Sequence, residues 1–448
     1  MTILQERIMT ADNKIGISFF GAGNIGSTVL KRLAEMSDEQ GGALRDVVSV
    51  RHVLVRDLDR SEREEAGFFV EPDLLTTDVA DILKDGNTQI VVELMGGEQP
   101  AYEYISEALK AGKHVVTANK AVLAKFGDQL FSAAARSEVH LQFEASVGGG
   151  IPVISALRRD LAANEISSIE AIINGTTNFI LTKMGAGDDY ETALTEAGRL
   201  GYAEPDPSAD VDGHDAVAKS VILAMLAYGA MINPESVVSE GIRNLVSADV
   251  SAASELGYVI KLIARLQSEN GEISVSVLPT LVGKDTQLGN VSGVTNAVEF
   301  TGDLVGKLFY EGPGAGREAT TSAVIADLLE VINDQLRGIQ PAPLIQPHPV
   351  QVKPSEQIES GFFLRLIVEN RPGVLAEISR ILAQASISIS SVVQKDITGQ
   401  ETASSVPDSA ELILTTHSSQ RGSVLEAVEL LGESKSVLQI GSVLPMSR

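Results

Sequence analysis

Asp215 and Lys219 stand four residues apart at the end of the stretch GYAEPDPSADVDGHDAVAK, which begins at Gly201. On a helix that spacing puts both side chains on one face. A lysine ammonium aimed at a carbonyl oxygen can stabilise the negative charge that develops there and supply a proton. The loop just before the pair carries Glu204, Asp206 and Asp210, where a substrate bearing an ammonium group would find partners. Spacing alone favours plainer readings: an ordinary surface ion pair for Asp215 and Lys219, and a solvated turn for the three acids.

A second stretch points to the other half of a redox reaction. GAGNIG, covering Gly21, Ala22, Gly23, Asn24, Ile25 and Gly26, follows the apolar run KIGISFF and opens a helical pattern. In that setting the first glycine permits a tight turn. The second lets backbone approach a pyrophosphate, and the third lets helix and strand pack closely. The helix N-terminus then presents free N–H groups to the anion. A glycine turn in an unrelated α/β fold is the competing reading. The next strand, read as VVSVRHVLVRD, ends with Arg56 followed by Asp57. Arginine there suits a 2′-phosphate, which favours NADP(H), whereas Asp57 and Asp59 keep NAD(H) open. A solvated charge at the strand end competes for Arg56.

These residues need elements to hold them. From Lys14 to about residue 145, short apolar strands alternate with helical patterns: KIGISFF, VVSVRHVLVRD, TQIVVELMG, KHVVTANK and VHLQFEAS are the strands. That alternation predicts a doubly wound, mostly parallel sheet. Residues 146–314 mix strands such as ISSIEAIING and ISVSVLPTLV with helices, as in an α+β domain. A helix over 317–335 is expected to complete the first domain. A proline-rich linker is expected over 336–358. Residues 359–448 read βαββαβ, a ferredoxin-like module, with Asn370 or a neighbour capping its first helix and Pro372 in the first turn.

Composition narrows the classes. At 448 residues two or three domains are expected, and 44% hydrophobic content is ample for their cores. No apolar run reaches a membrane span, and the N-terminus lacks a secretory pattern. There is no cysteine, which excludes disulfides and thiolate catalysis and fits the cytoplasm. A formal net charge of −25 repels nucleic acid and anionic membranes. The six histidines show no zinc spacing.

The chain resembles homoserine dehydrogenases. It carries GAGNIG, TANK at Thr117–Lys120, EASVGGGIP from Glu144, NGTTNFI from Asn174, GYAEPDPSADVDGHDAVAK and GPGAGREATTSAV, in the family's order. Its end, with ENRPGVLAEIS, resembles the ACT domain appended to many members. One departure lies after GPGAGREAT, where many members have a proline and this chain has Thr320 or its neighbours.

The resemblance implies NAD(P)H-dependent reduction of L-aspartate 4-semialdehyde to L-homoserine by a monofunctional enzyme. It implies a Rossmann-like domain, a catalytic and dimerisation domain and an ACT domain. Carried over residue by residue, Lys219 is the proton donor, Asp215 orients it and contacts substrate, and Lys120, at a strand end, lies by the nicotinamide. Glu204 would hold the substrate amino group, Thr176 would line the pocket, and Gly201 and Gly316 would approach cofactor or substrate through backbone. A sodium site is implied at the Glu144 carboxylate and the carbonyls of Val147, Gly149 and Ile151, although a glycine turn there needs no ion. Threonine is the implied effector at the ACT domain, and a homodimer or homotetramer the implied assembly. A different nicotinamide-dependent amino-acid dehydrogenase, or a non-catalytic amino-acid sensor, remains the alternative.

Overall fold

The computed structural model describes residues 14–39, 43–58, 70–341, 350–397 and 408–447. They fall into two compact units. The first comprises Met1–Ala163, Val221–Pro234 and Gly312–Pro349; the second comprises Asn164–Ser220, Glu235–Glu311 and Val350–Arg448.

The first unit is built on six strands: β1 (Ile15–Phe20), β2 (Val48–Leu54), β3 (Leu75–Thr76), β4 (Ile90–Glu93), β5 (His114–Thr117) and β6 (Leu141–Gln142). Their order is β3-β2-β1-β4-β5-β6, and every neighbouring pair is parallel. Every residue of β1 is buried, as a strand covered on both faces requires. Its one hydroxyl, Ser18, meets Thr88 Oγ1 at 2.8 Å. The strand order reverses between β1 and β4, so the crevice for a ligand lies at the carboxyl ends of those strands. Helix Asn24–Glu39 sends Val29, Leu30 and Leu33 into the core beside Ile17, Phe19 and Val92. Helix Arg317–Arg337 adds Val324, Leu328 and Val331 to that core. It begins without a break: the Thr320 N–H donates to Gly316 O at 3.0 Å, a bond that proline could not make.

The second unit carries β7 (Ile166–Ile172), β8 (Val238–Ser239), β9 (Tyr258–Glu269), β10 (Glu272–Gly283), β11 (Thr295–Gly302), β12 (Gly306–Pro313), β13 (Gln351–Val352), β14 (Glu359–Glu369), β15 (Ile389–Asp396), β16 (Ser409–Thr416), β17 (Ser419–Gln420) and β18 (Val437–Met446). The main sheet path runs β12-β11-β7-β9-β10-β18-β14-β16-β15. The βαββαβ module over β14–β18 therefore continues the preceding sheet: Leu281 of β10 pairs with Met446 of β18. Helices Val374–Gln384 and Arg421–Glu433 cover one face of the module, where Leu364, Leu366, Ile378, Leu412 and Leu431 form its core. On β14 the alternate residue Arg365 is buried too. It donates to Asp249 Oδ1 at 2.6 Å and Glu411 Oε1 at 3.2 Å.

Three local expectations are corrected. Helix Val374–Gln384 is capped by Gly373 in a left-handed conformation (φ +97°), so Pro372 lies before the helix and not in its first turn. Asn370 lies three residues before that cap, and its side-chain oxygen, the atom a cap would use, accepts from Gln394 Nε2 at 3.3 Å. Strand β2 spans Val48–Leu54, the Val55 N–H makes the last ladder bond to Thr76 O at 2.9 Å, and Arg56 follows the strand. Lys120 is not at a strand end: β5 closes at Thr117, and the Asn119 side chain caps a helix, Lys120–Arg136, whose first residue is Lys120. No helix among the described residues is long and apolar enough to cross a membrane.

Candidate functional site

Three glycines shape the loop after β1, each differently. Gly21 has φ +100°, and its N–H donates to Leu54 O at 3.1 Å. A Cβ on Gly26 would sit 2.5 Å from the Gly21 carbonyl oxygen, so the first turn of helix Asn24–Glu39 packs directly on the loop. A Cβ on Gly23 would meet nothing within 4 Å. With Ala22, Asn24 and Ile25 completing the loop, the opening over Gly23 lies at a helix N-terminus, where first-turn N–H groups lack intrahelical acceptors. A diphosphate fits this chemistry. Arg56 and Asp57 are exposed just past the carboxyl end of β2; Asp59 lies outside the described residues.

The turn at Glu144 is the second feature of the first unit. Glu144 is buried. Its Oε1 accepts from Ile154 N at 2.8 Å and its Oε2 from Ser155 N at 2.7 Å, while its own N–H donates to Asp327 Oδ2 at 2.8 Å. Burial pushes both carboxyls above their usual range, and the Glu144 charge pushes Asp327 further in the same direction. Val147 and Ile151 are buried beside them. Gly149 is locked in place: a Cβ there would lie 2.4 Å from the Gly314 carbonyl carbon. Carboxylate and carbonyl oxygens are the hard donors that a monovalent cation takes, and both Glu144 oxygens already accept backbone N–H groups. Gly316 (φ +108°) and Lys120 are exposed residues at the N-termini of their helices.

In the second unit the sequence motifs converge on Lys219. It lies on helix His214–Tyr228, one turn after Asp215. Its Nζ donates to Asp215 Oδ2 at 2.8 Å and to the Ile173 carbonyl at 2.7 Å. The Asp215 and Lys219 side chains are only 4% and 10% exposed, so the surface ion pair favoured by spacing is replaced by a buried one. Such a pair holds only where its remaining valences are met. Asn174 meets one of them: its Nδ2 donates to Asp215 Oδ2 at 2.9 Å and to Asp210 Oδ1 at 2.7 Å. Its Oδ1 caps helix Gly175–Gly185 by accepting from Thr177 N. Thr176, also buried, donates to Tyr202 O at 2.7 Å and so ties this helix to the loop that carries Gly201 (φ +76°) and exposed Glu204. Asp206 turns away to Ser208.

Asn174 is the residue that the candidate set lacked. An Asn ahead of a helical run reads as a cap, but nothing local reveals its hold on Asp215. The Ile173 carbonyl has no sequence signal at all. A polar cavity of about 370 Å³ lies elsewhere in the second unit, against Arg265, Ser274 and Lys353, and contains none of these residues. Among the described residues no cluster of three His, Asp or Glu side chains suits a transition metal.

Comparison with known proteins decides the family. The homoserine dehydrogenase profile matches residues 152–329, and its NAD-binding domain profile matches 21–144. The homoserine dehydrogenase of Synechocystis is 38% identical over 442 residues, spanning 96% of this chain and 99% of that protein. The chain belongs to the homoserine dehydrogenase family. The ACT domain profile matches 362–432, as the βαββαβ order anticipates. The homoserine dehydrogenase of Corynebacterium glutamicum is 37% identical across 97% of this chain and 96% of its own length. The crystal structure of the homoserine dehydrogenase from Thiobacillus denitrificans superposes with a TM-score of 0.87 at 38% identity, covering 97% and 98% of the two chains. A hyperthermophilic archaeal homoserine dehydrogenase, solved in complex with NADPH, gives a TM-score of 0.60 at 30% identity over 72% of this chain and 98% of its own. The chain is thus an oxidoreductase with a dinucleotide-binding Rossmann-like domain and an ACT domain.

Proposed function

We propose that the enzyme reduces L-aspartate 4-semialdehyde to L-homoserine, with Lys219 as the proton donor. The observation that carries this reading is the buried Asn174–Asp215–Lys219 cluster. Bound NADPH supplies the hydride, delivered from C4 of the nicotinamide to the aldehyde carbon. Lys219 stabilises the alkoxide oxygen and gives it a proton. Asp215 and the Ile173 carbonyl hold the ammonium in one rotamer, so little reorganisation accompanies charge development. Glu204 takes the substrate's amino group, and Thr176 and Gly201 shape the loop around it. The first unit holds the dinucleotide through Gly21–Gly26, Lys120 and Gly316, and Arg56 meets a 2′-phosphate, which favours NADP(H) over NAD(H).

The test is Lys219→Ala, with circular dichroism to confirm folding. Semialdehyde reduction, followed at the NADPH absorbance band, should fall on the order of a hundredfold or more while NADPH still binds. A folded variant with wild-type kcat/KM would reduce Lys219 to an ion-pair partner.

The same reading places a sodium ion at Glu144 with the carbonyls of Val147, Gly149 and Ile151. It places an amino-acid effector, threonine, at the ACT domain of a cytoplasmic homodimer or homotetramer. It divides the chain into a dinucleotide domain (14–145 with 317–335), a catalytic domain (146–314), a linker (336–358) and a regulatory domain (359–448). Activity titrated with sodium, and separately with threonine, checks the first two assignments; flat curves would remove them.

A further inference from the structure

Strand β4 ends on Glu93, a residue outside all the motifs above. Its side chain is fully buried. Oε1 accepts from the Met95 N–H at 2.8 Å and from Asn119 Nδ2 at 3.5 Å, and Oε2 accepts from Thr117 Oγ1 at 2.5 Å. The Thr117 hydroxyl oxygen is itself an acceptor for the Asn119 N–H at 3.0 Å, which leaves its proton for Glu93. Asn119 also donates to Gly97 O at 2.8 Å, and its Oδ1 accepts from Val122 N to cap helix Lys120–Arg136.

These bonds join two segments that leave the carboxyl edge of the sheet at its reversal point. One is 94–97, after β4. It packs on the glycine loop: a Cβ at Gly21 would meet Leu94 O and Met95 Cγ, each at 3.2 Å, and Leu94 N donates to Phe20 O at 2.9 Å. The other is 118–120, after β5, which ends on Lys120. A buried carboxylate is costly, and burial pushes this one above the usual carboxylate range while its donors pull the other way. A carboxylate kept in so unfavourable a place, with donors on both oxygens, does a task that an apolar residue would not.

We propose that Glu93 is a positioning residue of the dehydrogenase reaction, an acceptor-only clamp that fixes the Lys120 segment relative to the glycine loop and thereby sets where the nicotinamide end of the cofactor rests. The inference depends on the reading of Lys120 as a nicotinamide-side residue. Glu93 itself touches neither cofactor nor substrate. Its loss should therefore spare dinucleotide affinity, which comes from the glycine loop, and damage the hydride step, where small misplacements are expensive.

The experiment uses the full-length enzyme and Glu93→Gln, whose NH2 would face donors in place of an acceptor. The expected result is a fall in kcat between about tenfold and a hundredfold, a Kd for NADPH within about threefold of wild type, and a larger primary isotope effect with NADPH deuterated at the transferred C4 position. An unchanged kcat and isotope effect would overturn the proposal. So would a loss of rate that follows the unfolded fraction alone, or one matched by an equal loss of NADPH affinity. If Glu93→Gln does not fold, Thr117→Val removes one donor and should move the same readouts in the same direction, with Thr117→Ser restoring most of the rate; failure of that pair overturns the clamp. Lys120→Met separates the two levels. A wild-type kcat and isotope effect in that variant sinks the reading of Lys120, whereas a damaged Lys120→Met beside an undamaged Glu93→Gln sinks only the clamp.

Discussion

In the glycine loop of the first unit the working atoms are backbone. Gly21 turns with a positive φ, Gly26 lets a helix rest on the turn, and the space beside Gly23 is open at the start of a helix, whose first-turn N–H groups lack intrahelical acceptors. In the Lys219 cluster of the second unit the working atoms are side chains buried together: an ammonium, a carboxylate and an amide, held by bonds of 2.7–2.9 Å. Backbone N–H groups carry partial charges that need no counter-ion and no burial, so the loop can remain open to a large anionic ligand. A full charge that must act on one developing oxygen is fixed by partners and shielded from water, which strengthens its field. The two sites should consequently fail in different ways: the loop by steric intrusion, the cluster by loss of a partner.

The largest effect on cofactor binding should come from the loop. Gly26→Val drives side-chain atoms into the Gly21 carbonyl, 2.5 Å from where a Cβ begins, and backbone cannot yield as a side-chain tip can. NADPH affinity, read by fluorescence titration, should drop on the order of a hundredfold, since a lost phosphate contact of about 3 kcal/mol has that consequence. Undiminished binding would show that the loop tolerates bulk and that the division between backbone and side-chain sites is wrong.

Next is Asn174. Asn174→Ala removes both a helix cap and a donor to Asp215; Asn174→Ser keeps a cap but not the amide. A hydrogen bond to a charged group is worth about 1.5–3 kcal/mol, so kcat/KM should fall roughly tenfold or more in both variants. Thermal stability should fall chiefly in the alanine variant. Activity that recovers fully in Asn174→Ser would mean that the cap alone matters.

A smaller, selective effect is expected of Arg56. The side chain is exposed, where charge pairing is worth about 1 kcal/mol. Arg56→Ala should raise KM for NADPH about fivefold and leave KM for NADH unchanged. An equal rise for both cofactors would detach Arg56 from the 2′-phosphate.

No change in activity at neutral pH is expected from His114, which tests whether buried titratable side chains in the first unit serve stability instead. Burial, with the neighbouring His140, lowers its pKa from 6.5 to about 4. Between those values the unfolded chain takes up a proton that the folded chain resists. Its contribution is therefore present above pH 6.5 and is lost as pH falls towards 4, by up to about 3 kcal/mol. His114→Gln should flatten the acid side of a stability–pH curve; an unaltered slope would assign the acid sensitivity elsewhere, with Glu144 and Asp327 excluded because their raised values act in the opposite sense.

Much of this was legible in the residues themselves. The run IGISFF has to be a doubly covered strand, because nothing in it suits water except Ser18. GAGNIG after it has to be a tight turn into a helix. The alternation of strands and helices to residue 145, and the βαββαβ order at the end, follow from hydrophobic period and turn residues, which act over a few positions. The motif order was enough to point to the family. Tertiary structure alone decided the rest. Lys219 and Asp215 read as a surface pair until residues 41 and 46 positions away, Asn174 and Ile173, enclose them. Asn370 reads as a cap until Gln394 takes its side-chain oxygen and Gly373 holds the capping position instead. Glu93 gives no signal until strands β4 and β5 lie side by side and bring Thr117 and Asn119 to it. Periodicity and propensity are local and survive in the sequence, whereas burial and the choice of hydrogen-bond partner depend on which distant segments share a volume, and that is set only when the chain packs.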